Sequence, residues 1–309
     1  PATYKAIVRP RIYVLLKTSL NLMTMEKKSF SLNFRSLRKG FFYPLISVVT
    51  VISLCLTTPS LARGISIWDI LLRGAQIIQL SNISDRQEIR LGQQINQQLI
   101  RSDVKLYRNS QINRYIKRIG KRLEAQNTRK KIPYVFQVVK DDSINAFATA
   151  GGYVYINTGL IKAAENEAEL ASVVGHEIGH IEGKHVVKQM RQTAIARGLA
   201  TAAGVEESKL VQLGVEIAFR RRNSRAAERD ADQRGLRILK DSGYAPQAMV
   251  SFMKKLKSKS RASAPTFLST HPSPANRVEY LQGWVNAQPS KGNDGLSETA
   301  YRRNIRPLL

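Results

Sequence analysis

The chain has 309 residues, of which 43% are hydrophobic, with a formal net charge of +26 and a single cysteine. That length allows one large hydrophobic core or two small ones, and the composition excludes a collagen-like repeat and a wholly disordered chain. So large a positive charge favours anionic surfaces, whether lipid headgroups or nucleic acid, without choosing between them.

Residues 1–24 precede Met25 and carry no usable motif, so they read as upstream sequence or a misassigned start. From Met25 the basic stretch "MEKKSFSLNFRSLRKG" leads into the apolar "FFYPLISVVTVISLCL" and then "TTPSLA". Basic, apolar, small is the order of a secretory signal peptide, with cleavage expected after Ala62. A retained anchor over 25–62 is the alternative, although Pro44 interrupts the run and its length is near the lower limit of about 17 residues for a span. Cys55 lies inside this run, so the residues after Ala62 hold no disulfide or thiolate. No later stretch is apolar enough to span a bilayer; "TAIARGLATAAG", Thr193–Gly204, is too short.

After Ala62 the pattern predicts a mainly helical α+β domain over 63–288. "DRQEIRLGQQINQQLI" and "RNSQINRYIKRIGKRLEAQ" space Ile, Leu and Tyr as amphipathic helices do. "IPYVFQVVKD" alternates as a strand, and "INAFATAGGYVYINTGLI" forms two extended arms around Gly151 and Gly152, a β-hairpin. A helix follows in "ENEAELASVVGHEIGH", with Glu165, Glu167 and Glu169 at its dipole-favoured start. Two more are predicted, over Ser224–Lys240 and Pro246–Leu256. The polar, glycine-rich residues 289–309 are expected to be a frayed tail.

The chemistry lies in "VVGHEIGHIEGKHVV", which holds three of the four histidines. On a helix, His176 and His180 are one turn and about 40° apart, so both imidazoles can meet one ion. Glu177 projects about 100° round from His176 and can reach the open side of that ion. This is the HExxH arrangement, in which the glutamate moves a proton from the attacking water to the leaving amine. His185 comes one residue too early for a third ligand after a break at Gly183. On a continuous helix it would lie about 140° round from His180. It reads instead as a group behind the ligands, near the substrate or on the surface. Downstream, Glu228 and Asp232 are four apart on the predicted helix and share a face. They can form a His₂Glu site with a supporting carboxylate, or simply pair with Arg225, Arg229 and Arg234.

Taken together, "NAFATAGGYVYINTGLI", "ELASVVGHEIGHIEGKH", "SRAAERDAD" and "STHPSPANRVEYL" resemble the family-48 metallopeptidases, a group including HtpX-type, CAAX prenyl-protease, Oma-type and BepA-type enzymes. The resemblance spans Ser81–Gln288 and implies a zincin fold of the gluzincin kind. It implies one zinc ion on His176, His180 and Glu228, with Glu177 as base and Asp232 orienting a ligand histidine. It also implies that an edge strand matching Asn145, Ala146, Phe147 and Ala148 pairs with substrate backbone. His271 would lie near the metal, as a plug in its open position or as an oxyanion stabiliser. A surface-loop role is the third option for His271, and Arg277 would anchor the same loop.

The expected protein is therefore a small, exported, single-domain zinc endopeptidase, periplasmic or membrane-associated in a bacterium. It would act on polypeptides, and its basic surface, including Arg220–Arg222 and "KKLKSKSR", would favour anionic membranes or acidic clients. An inactive, chaperone-like binder of the same fold is the alternative. Nucleic acid is not an expected partner, since no binding module is recognisable. Oligomeric state is not legible.

Overall fold

The structure, a computed structural model, describes residues 77–200, 204–220, 223–259, 265–272, 276–287 and 292–309. The expectations for residues 1–62, and those for Arg221, Arg222, Ser260 and Arg261 within the basic clusters, lie outside the described residues. Strand β1 (Ile77–Ile78) pairs antiparallel with β5 (Val205–Glu206). Helix α1 (Asp85–Ser102) starts in a capping box, Ser84 and Gln87 each accepting from the other's backbone N–H, and it buries the stripe Leu91, Ile95 and Leu99. Helix α2 (Ser110–Glu124), capped by Asn109, buries Ile112, Tyr115, Ile116, Ile119 and Leu123.

The three-stranded sheet comprises β2 (Val135–Val139), β3 (Ala146–Ala148) and β4 (Tyr153–Asn157) in the order β2-β4-β3. β3 and β4 form the expected hairpin, Phe147 opposite Tyr155, while β2 runs parallel to β4 with Gln137 opposite Tyr155. The hairpin turn puts Gly151 at φ 76° and Gly152 at φ 94°, where an L side chain is strained, and a Cβ on Gly152 would strike the Pro133 carbonyl. The order leaves β3 on one edge of the ladder and β2 on the other.

Helix α3 (Thr158–Ala163) leads to α4 (Glu167–Glu182), whose residues from Ala168 onward are all buried. Two of the early carboxylates of this segment accept from side chains of other helices. Glu167 accepts from the Tyr115 and Tyr244 hydroxyls, each at 2.7 Å, and Glu169 accepts from Lys255 at 2.6 Å. Next come α5 (His185–Ala196), α6 (Glu207–Arg220), α7 (Arg225–Asp241) and α8 (Gln247–Lys259), then α9 (Thr266–Thr270), α10 (Arg277–Ala287) and α11 (Glu298–Ile305). No helix among the described residues is long and apolar enough to cross a membrane.

Small residues set the contact between α4 and α7. Gly175 and Gly179 face Gly235 and Ala231 so closely that a Cβ on Gly235 would sit 2.9 Å from the His176 Cα. This approach brings a face of α7 onto the HExxH turns of α4.

The expected frayed tail is corrected. α11 is capped by Ser297, buries Tyr301 and Ile305, and donates the Tyr301 hydroxyl to the Ile161 carbonyl at 2.6 Å. Gly295 O accepts from Ala168 N at 3.0 Å, so this segment also closes the start of α4. Polar composition hid a helix that docks through two side chains.

Candidate metal centre

His176, His180, Glu228 and His271 each place a ligand atom within 4.8 Å of the others, and all four are buried. His176 and His180 come from the middle of α4, Glu228 from the first turn of α7, and His271 from the end of α9. His176 Nε2 lies 3.0 Å from His180 Nε2 and 3.3 Å from His271 Nδ1. Glu228 reaches both helical histidines, Oε2 at 3.4 Å from His176 Nε2 and Oε1 at 3.3 Å from His180 Nε2. His271 Nδ1 is 3.2 Å from Glu228 Oε1. A tetrahedron with bonds of about 2.0–2.1 Å has edges of about 3.3–3.4 Å, so these separations fit a small four-coordinate cation.

The polar atoms tell the same story. Glu228 Oε2 and Glu177 Oε1 are buried without a hydrogen-bond partner, an arrangement that costs free energy unless something else engages them. Two facing imidazole nitrogens 3.0 Å apart cannot both carry a proton. Burial alone would lower the His176 pKa, but the carboxylates of Asp232 and Glu228 outweigh it and raise the ring to about 9. Burial, with the charges of His176 and His271 adding to it, drops His180 to about 3 despite the opposing Glu228. Glu228 is held well below the usual range: burial pushes it up, while His271 and His180 overcome that. A pocket that keeps a proton on one imidazole through two carboxylates will also attract a metal cation.

Asp232, expected to orient a ligand, sits with Oδ1 2.9 Å from His176 Nδ1, which leaves Nε2 facing the cluster. It is one turn along α7 from Glu228. Arg277, 1% exposed, grips the Asp232 carboxylate through Nε at 2.9 Å and a terminal nitrogen at 2.7 Å. Tyr280 adds its hydroxyl to Oδ2 at 2.5 Å. Burial opposes ionisation of Asp232, but Arg277 and His176 more than compensate and hold it at about 2. Arg277 therefore fixes the carboxylate beneath the cluster as well as starting α10.

His185 lies neither on a continuous helix nor in the cluster. α4 stops at Glu182, Lys184 adopts a left-handed φ of 53°, and α5 begins at His185. The reversal brings His185 Nδ1 to 2.9 Å from His180 Nδ1, with the Asp230 carboxylate on its far side, 3.0 Å from Nε2. His185 is thus buried behind His180, on the nitrogen turned away from the cluster.

Glu177 shares a small cavity of about 30 Å³ with Phe147, Ala148, His180 and His271, room for about one water. Phe147 stacks on Tyr155 with centroids 4.6 Å apart. Ala146 is wholly buried, and Asn145 is buried beside the loop, accepting from the Thr270 hydroxyl at 3.4 Å. The same loop is tied to the strand by Phe267 N donating to Ile144 O at 3.0 Å. His271 is 3% exposed and stacks on Phe267 at 4.3 Å, which removes the surface-loop alternative. Sequence reasoning missed Tyr280, Asp230 and the glycines of the α4–α7 contact. The only signal for those glycines was Gly175, Gly179 and Gly235 inside helical stretches.

The sequence profile of Peptidase family M48 matches residues 110–285, more than half the chain. The beta-barrel assembly-enhancing protease of Escherichia coli (strain K12) is 31% identical over 232 residues, covering 67% of this chain and 45% of that protein. Metalloprotease LoiP of the same organism is 27% identical over 255 residues, covering 80% of this chain and 96% of LoiP. Mitochondrial metalloendopeptidase OMA1 of Schizosaccharomyces pombe is 26% identical over 180 residues, covering 55% of this chain and 52% of its own length. The chain spans less than half the length of the beta-barrel assembly-enhancing proteases it matches.

Proposed function

The chain belongs to peptidase family M48, and on that premise we propose that it is a zinc-dependent endopeptidase that cleaves misfolded or membrane-associated polypeptides in an exported compartment of a bacterium. The observation that carries the reading is the meeting of His176, His180 and Glu228 around one point, with the Glu177 carboxylate beside it. These three side chains would hold one zinc ion, and Asp232 would fix the His176 ring. Zinc, when bound, would polarise the scissile carbonyl and lower the pKa of the attacking water.

Glu177 takes a proton from that water and returns it to the leaving amine. Burial raises its carboxyl above the usual range, which brings its basicity closer to the working pH. β3, an edge strand beside α4, offers backbone groups to an extended substrate, and Phe147 and Ala148 face the same cavity as Glu177. Backbone pairing of this kind tolerates many side chains, as a clearance enzyme needs. The exported location rests on the basic, apolar, small-residue order of Met25–Ala62.

A second reading concerns His271. Its Nδ1 takes the fourth corner of the cluster, and the adjoining cavity of about 30 Å³ is too small for a peptide. We read this arrangement as a closed, resting state in which the Thr266–His271 segment must withdraw before substrate enters. Casein cleavage, with and without chelator and with Glu177→Gln, tests the main reading. Activity that survives either treatment contradicts it.

A further inference from the structure

The sheet has a second edge, and a groove runs along it that the metal centre does not use. It follows β2 between the end of α1 and the first turns of α2, with a volume of about 1070 Å³. Ligand pockets are usually roughly 300–1,000 Å³, so this one is large enough for a short stretch of chain. Leu106, Phe136 and Val138 supply apolar surface. Arg101, Lys105, Arg108, Arg114, Lys117 and Lys140 also line it, against the single acid Asp103.

All six cations are exposed, and none forms an ion pair among the described residues. Some cations elsewhere are paired, Arg129 with Asp85 and Glu88, Arg122 with Asp294 and Arg237 with Glu182, while Arg86, Lys131, Lys188 and Arg191 are exposed without an ion pair among the described residues. What sets the groove apart on a basic surface is that six such charges gather in one concavity with a single acid.

The backbone adds a direction. Tyr107 N donates to Val138 O at 2.8 Å and Lys140 N to Lys105 O at 2.7 Å, so the segment around Leu106 covers only the later part of β2. Phe136 and Gln137 continue along the groove beyond that pairing. Gln137 also lines the groove, and its Oε1 is buried without a hydrogen-bond partner.

We propose that this groove is an exosite for acidic, extended segments of polypeptide clients. Only the word client rests on the peptidase reading; the binding does not. A flat bilayer cannot enter a concave groove. The Phe136 ring offers nucleic acid no free stacking platform, because it is packed on Gly120. Residues 1–76 are themselves rich in Lys and Arg, so charge disfavours their lying in it. An acidic segment neutralises the cations that line the groove. Holding a remote part of a client here raises its effective concentration at β3, on the opposite edge of the same sheet.

The test is fluorescence anisotropy with the full chain carrying Glu177→Gln. The probe is a fluorescein-labelled ten-residue peptide alternating Asp and Val, against the same peptide with Lys for Asp. The acidic peptide should bind and the basic one should not. The double variant Arg114→Glu and Lys117→Glu should weaken binding about tenfold or more, and the milder pair Arg114→Gln and Lys117→Gln by an intermediate amount. His176→Ala should leave binding unchanged, so loss of cleavage and loss of the exosite are separable. Equal binding by parent and charge-reversed protein, with circular dichroism showing both folded, overturns the proposal. So does tighter, charge-reversal-sensitive binding of single-stranded DNA or of phosphatidylglycerol vesicles.

Discussion

Substituting Gly235 with alanine should separate α4 from α7 and loosen the metal centre without touching any ligand. The new Cβ would lie 2.9 Å from both the His176 Cα and its amide nitrogen, and 3.0 Å from the Gly175 carbonyl carbon. These neighbours are backbone, so they cannot rotate away, and reaching ordinary contact needs a shift of about 0.5 Å. Overpacking of this kind costs about 1–3 kcal/mol. Better helix propensity returns about 1 kcal/mol, leaving a net loss of about 0–2 kcal/mol. The same shift moves Glu228 and Asp232 away from His176 and His180, at the edge of the roughly 0.5 Å that a working site tolerates. Metal affinity should fall on the order of tenfold. Gly175→Ala is the control, since its Cβ would meet the Gly235 carbonyl oxygen at 3.3 Å and needs only a small adjustment. Urea unfolding of metal-stripped protein gives the stability change, and competition with a chromophoric chelator gives the affinity. If Gly235→Ala matches the parent in both, the close helix contact does not position the centre.

Other outcomes follow from the same geometry. Asp232→Asn should cost about 10–100-fold in metal affinity, read by the same competition, because His176 Nδ1 loses its carboxylate. At pH 7 the metal-free protein carries a proton on His176, whose pKa is raised to about 9, and none on His180, at about 3. Metal uptake should therefore release close to one proton, and affinity should fall about tenfold per unit as pH drops from 8 to 6. Calorimetry in buffers of different ionisation enthalpy measures that release, and a value near zero would count against the electrostatics described. His271→Ala separates plug from oxyanion stabiliser: casein cleavage rises if the residue blocks the centre, and kcat falls on the order of 100-fold or more if it stabilises the oxyanion. Tyr301→Ala should lower stability by about 3 kcal/mol in urea unfolding, a loss that a frayed tail would not produce.

What the sequence made legible was what spacing encodes locally. HExxH at His176–His180, the Glu228 and Asp232 pair, and the hairpin around Gly151 and Gly152 each depend on a period of two or 3.6 residues. The parallel pairing of β2 with β4 joins segments separated by β3, so no local pattern announces it. The path after Glu182 turns on one left-handed residue, Lys184, a conformation that a lysine does not advertise. Gly235 reads as a weak point in a helix until its neighbour across the contact is known to be the backbone of His176. Tyr280 and Arg277 matter because they converge on Asp232 from another helix, and the C-terminal segment is ordered by Tyr301 and Ile305 amid otherwise polar residues.

The most direct test of the account is an anomalous difference map recorded at the zinc absorption edge from crystals of the zinc-loaded protein. The account predicts one peak per chain, bonded to Nε2 of His176, Nε2 of His180 and a Glu228 carboxylate oxygen. A peak elsewhere, or a stoichiometric zinc ion that Glu228 does not touch, would contradict it.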